Sequence, residues 1–98
     1  MTITEMEARL LALPELIADA EVEYKMAKYS ADSKELHILV NAATTGKDAA
    51  ERKIEREVAV HNNADMINLS GTAYAAEAKY HALVREYDAI TTILRRGA

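Results

Sequence analysis

Cysteine, tryptophan and phenylalanine are absent from these 98 residues, which also hold only three glycines and one proline. Without cysteine there is no disulfide, no thiolate metal site and no cysteine nucleophile, and the chain suits a reducing compartment. An all-β fold needs frequent turns, and so few turn-forming residues exclude it. No apolar run approaches the roughly 20 residues that span a bilayer, and no basic segment with an apolar core opens the chain. The expectation is a cytoplasmic protein with no membrane contact. Basic charge is also scarce. The net charge is −4, and residues 1 to 23 carry six acids against the single base Arg9. A protein that grips phosphates needs a basic face, and the run Lys25, Lys28 and Lys34 is too short to make one. Duplex nucleic acid is therefore argued against as a primary ligand.

What is present is helical periodicity. Half of the residues are hydrophobic, many of them alanine, a composition suited to slender, closely packed helices. From Ile3 the apolar positions step by three and four through Met6, Leu10, Leu13, Ile17, Ala20, Tyr24, Ala27 and Ala31 to Ile38, with Lys34 and Asn41 completing the line. Thr4 and Glu7 make a capping box that predicts the helix start. Pro14 lies inside the run, which predicts a kink or a split near it. At NAATTGKDAAERK the pattern stops; Gly46 marks a turn, and Asp48 or Thr45 can cap the next helix. A second seam runs Ala59, Asn62, Met66, Leu69, Ala73, Ala76, Tyr80, Leu83, Tyr87, Ile90 and Leu94. Together these predict an all-α, long antiparallel two-helix hairpin as a single domain, residues 1–98: arm one about 4–42, turn 43–47, arm two about 48–96. Folding about Thr45 would set Leu10 near Tyr80, Ile17 near Ala73 and Ala31 near Ala59.

The stretch HNNADMINLSG, residues 61–71, admits three readings. His61 and Asp65, with Glu57 one turn earlier, have helical metal-ligand spacing, but the further ligands that zinc needs are missing nearby. The pair Asn62 and Asn63, with Ser70 and Gly71, can break a helix. The third reading, favoured by the seam, is a helix running straight through with Asn62 on the packing line, fixing register and oligomer state. Glu77 and His81 are spaced as an acid and base pair, but a thin hairpin makes no water-poor pocket. No Gly-rich phosphate loop or nucleophile motif occurs. The expectations are no catalytic residue, no cofactor and no metal.

Opposite the Tyr24 seam runs a second apolar stripe, Val22, Met26, Tyr29, Ser33, Leu36 and Val40. A weaker counterpart on arm two includes Val60, Ile67 and Tyr74. One partner helix cannot cover both faces of arm one, so either the stripes widen the core of a bent bundle, or, as favoured here, hairpins pair into a four-helix bundle or dock another protein. The expected interface is Val22, Met26, Tyr29, Leu36, Val40, Asn62, Ile67 and Tyr74, and the expected partners are a second copy and a further protein.

At the turn, Gly46, Lys47, Ala50, Glu51 and Arg52 in TTGKDAAERKIERE resemble the middle of small phage and prophage helical-hairpin proteins. The specific resemblance covers residues 44–57. It implies a phage-encoded accessory protein in the host cytoplasm, acting in recombination or against a host or phage factor, and it carries no catalytic residue. Two other roles stand beside this one. The first is a single-strand nucleic-acid accessory factor using Lys25, Lys28 and Tyr29; the second is a structural virion component.

Overall fold

Helix is the regular structure this sequence forms. The computed structural model describes residues 1–97, with α1 at Ile3–Asn41, α2 at Ala49–Asn62 and α3 at Ala64–Gly97. Among the described residues there is no strand. The cap of α1 lies two residues before the expected one: the Thr2 hydroxyl accepts from the Glu5 amide at 3.1 Å. Thr2 and Glu5 repeat the pattern of Thr4 and Glu7 one half-turn earlier, and the earlier threonine captures the free amides. α1 then continues through Pro14 without splitting. A proline inside a helix removes one hydrogen bond and costs about 3 kcal/mol. The seam residues on either side, Leu10, Leu13 and Ile17, are buried or half-buried and hold both turns in place.

The chain packs as two compact units. In the first, residues 1–25 of the chain lie with the part of α3 from Ala75 onward. Its buried side chains are Leu13, Ala20, Ala76 and Ile90, all from the two seams read in the sequence. The ion pairs Arg9 with Glu86 and Glu23 with Lys79 show that the two segments run antiparallel. Tyr24 stacks on Tyr80 with ring centroids 6.1 Å apart.

Arg9 donates twice to Glu86, from Nε at 2.7 Å and Nη2 at 3.0 Å, a bidentate pair with both side chains about one-third exposed. The hydrogen bond from the guanidinium holds the Glu86 carboxyl below the usual glutamate range and raises Arg9. Because the folded pKa of Glu86 is depressed, its stabilisation is fully present above the ordinary glutamate value of about 4.3 and is lost as the pH falls through the folded value. Glu86→Gln should therefore lower Tm slightly at neutral pH and not at all below the glutamate range. Melting curves of the two proteins at both pH values check this, and a difference that persists in acid would contradict it.

The second unit, Met26–Tyr74, joins the rest of α1, all of α2 and the start of α3. Its buried cluster is Ala31, Ile38 and Met66, with Ala59, Val60, Leu69 and Ala73 packed against it. Ala59 packs against this cluster, while Lys34 pairs with Asp65. The expected register is displaced: Tyr80 faces Tyr24, not Leu10, and Ala73 joins this cluster. The cause lies in the connection. The Glu55 carboxylate accepts from the Thr45 amide at 2.8 Å and its hydroxyl at 3.1 Å, so the reversal centres beyond Thr45, within the first turn of α2. Residues outside a helix advance up to about 3.3 Å each, against 1.5 Å inside one, and such a connection moves the partners of α1 further along the chain. The Thr45 amide also holds the Glu55 carboxyl below its ordinary range.

Asp48, one of the two expected caps, accepts from the Glu51 amide at 2.8 Å, and Glu51 in turn accepts from the Lys47 amide at 2.8 Å. The turn glycine is closely overlain. A Cβ on Gly46 would lie 2.7 Å from the Glu51 Cβ and 3.0 Å from the Arg52 nitrogen.

Arm two is not one helix. Asn63 is extended, with φ −77° and ψ 120°, and separates α2 from α3. Its amide donates to the Val60 carbonyl at 3.3 Å while its side-chain oxygen accepts from the Met66 amide at 2.9 Å. One residue thus closes α2 and caps α3. This overturns the continuous-helix reading, and with it the place of Asn62 in the seam: Asn62 is the exposed last residue of α2. An asparagine at an N-cap gains a hydrogen bond that a helix interior denies it. Asn63→Ala should cost about 1 kcal/mol, while Asn63→Ser should retain most of the stability. Urea unfolding of both variants measures the difference, and equal losses would show that the cap bond contributes nothing.

Candidate functional site

The second unit carries the most distinctive surface of the described residues. On α1, Met26, Tyr29, Leu36 and Val40 are 67%, 74%, 63% and 72% exposed. They project here because the other face of α1 is taken by the seam of Ala31 and Ile38, and residues near half a helical turn away must point outward. On α2, Ile54 and Val58 are exposed, and on α3 Ile67 and Tyr74 are too. Val22, in the first unit, is also exposed.

Where the three helices meet, an open groove of about 670 Å³ lies between Glu35 and Leu39 of α1, Lys53, Glu57, Val60 and His61 of α2, and Met66, Ile67 and Ser70 of α3. The extended residue Asn63 lies in sequence between the α2 and α3 parts of its lining. Leu39, Val60, Met66 and Ile67 supply apolar surface. Glu35, Lys53, Glu57 and His61 supply charge or polarity of both kinds. Such a groove can accept an apolar side chain and orient its neighbours through the rim.

Of the residues expected at an interface, the structure brings Ile67 into this groove and sets Asn62 beside it in sequence. Met26, Tyr29, Leu36 and Val40 form their own row on α1, and Tyr74 stands exposed on α3. The groove itself escaped sequence reasoning, since residues of three helices far apart in sequence line it. The one available signal was the Asn62 and Asn63 pair.

The alternative chemistries find little geometry. His61 and Glu57 line the groove, but Asp65 is turned to Lys34 at 3.7 Å. Among the described residues no three histidine, aspartate or glutamate side chains are placed to share a metal ion. Glu77 is half-buried, whereas His81 is exposed and tilted against Tyr80 at 5.5 Å. In the small cationic patch, Lys25 is held by Glu21 at 2.6 Å, a hydrogen bond that raises the lysine pKa. No helix among the described residues is long and apolar enough to cross a membrane.

Comparison with protein-family models, curated proteins and solved structures finds no match to this chain.

Proposed function

We propose that this chain is a non-enzymatic protein-interaction module that self-associates through the apolar surface of its second unit. One observation carries the reading. Among the described residues of the second unit eight large hydrophobic side chains are exposed, while three hydrophobic residues are buried and one of those is alanine. More apolar side chain is thus offered outward than is used inside, which marks an interaction surface.

In this reading two chains pair their long helices into a four-helix bundle, and a bend at Pro14 lets α1 follow the bundle's curvature. The cellular role rests on the resemblance of the turn to phage hairpin proteins: an accessory factor that binds or inhibits a host or phage protein. The pairing of Lys25 with Glu21 disfavours a role on single-stranded nucleic acid, which needs free cations along its groove.

Sedimentation equilibrium tests self-association directly. The expected mass is twice the 10.8 kDa chain at micromolar concentration, and a constant 10.8 kDa at tens of micromolar would overturn the proposal.

A further inference from the structure

We infer that α1 pairs antiparallel with α1 of a second copy, around a twofold axis level with Ala31. This rests on the self-association reading and specifies its geometry. The exposed row Met26, Tyr29, Ser33 and Leu36 has spacings of three, four and three, which read the same in both directions. A twofold interface brings one surface against itself, so residue i meets j while j meets i. Reversing α1 about its Ala31 level sets Met26 against Leu36 of the second copy and Tyr29 against Ser33 of the second copy. Met and Leu are close in volume, and a large tyrosine meets a small serine. Layers of this kind fill evenly.

A parallel pairing of the same row stacks Tyr29 on Tyr29 and leaves Ser33 opposite Ser33. One layer is then overfilled and the next is hollow, and both errors cost stability. Parallel helices also align their dipoles side by side, whereas antiparallel ones oppose them. Val40 extends the antiparallel seam consistently, because its counterpart by position is residue 22, which is also valine.

The chain has no native cysteine among its residues, so introduced thiols report the geometry alone. Met26→Cys and Leu36→Cys occupy exposed sites that the monomer fold does not need. A disulfide requires Cα atoms within about 7 Å. In the antiparallel pair, position 26 faces position 36 of the second copy, while each position lies about 15 Å along the axis from its own equivalent. With oxidised glutathione, an equal mixture of the two variants should give a reducible band at twice the chain mass. Neither variant alone should. Circular dichroism confirms that both retain the parent's helix content.

Cross-linking of each variant by itself would overturn the antiparallel geometry in favour of the parallel one. No cross-link in the mixture, with a dimer still seen by light scattering, would overturn this pairing while leaving self-association intact. A monomer by light scattering in the parent protein would remove both.

Discussion

Leu13→Ala is expected to destabilise the protein by about 3 to 5 kcal/mol, the range for a fully buried leucine whose cavity does not collapse. Leu13 is 0% exposed and is the one large side chain of the described residues that is completely buried. It also sits immediately before Pro14, where α1 has already lost a backbone hydrogen bond. Domains of this size have about 5 to 15 kcal/mol of total stability, so the change removes a large share and should lower Tm by more than about 10 °C. Leu11→Ala provides the internal comparison. Leu11 is two residues away but 85% exposed, and its truncation should shift stability by less than about 0.5 kcal/mol. Thermal and urea unfolding followed by circular dichroism measure both. Similar losses for Leu11 and Leu13 would mean that the seam does not separate the faces of α1 as described.

The second large effect concerns assembly. Replacing Tyr29 and Leu36 together with glutamate is expected to weaken the proposed dimer by at least about a hundredfold. A buried interface aromatic commonly contributes 2 kcal/mol or more, and a desolvated carboxylate in its place adds a further penalty. Both side chains are well exposed in the chain itself, at 74% and 63%, so the monomer should keep its helix content and melting behaviour. Sedimentation across a concentration series would show monomer where the parent is dimeric. An unchanged association constant would place the contact on another surface.

The sequence read the packing faces more faithfully than the path of the chain. Steps of three and four residues identified Leu13, Ala20, Ala31, Ile38, Met66, Ala76 and Ile90 as seam positions, and these are the buried ones. Periodicity works there because a helix carries its own phase over many turns. It is silent about short interruptions. α2 and α3 are separated by one residue, too few to disturb the stripe from Met66 onward, and the local chemistry of Asn63 decided the matter. Register was harder still. Thr45 binds Glu55 through side-chain and backbone hydrogen bonds across the turn, and such bonds leave no periodic trace. The exposed row on α1 was legible for the same reason as the seam, whereas the groove beside Ile67 depends on three helices meeting and has no linear signature.

α2 has a further property that follows from its position. It is a 14-residue helix with no fully buried residue, fastened at one end by the contacts of Asp48, Glu51 and Glu55 and at the other by Asn63 and the half-buried Ala59 and Val60. A helix of that length is marginal in water, and half-buried residues alone tie this one to the cluster. Its amide protons should therefore exchange with deuterium as one block, at a free energy well below global unfolding, while the buried stretches of α1 and α3 remain protected. Native-state exchange across increasing denaturant would resolve the two classes, and slow exchange throughout α2 would contradict the assignment. The protein would then have a reversible opening that exposes Met66 and Ile38 from one side without dissolving the long helices.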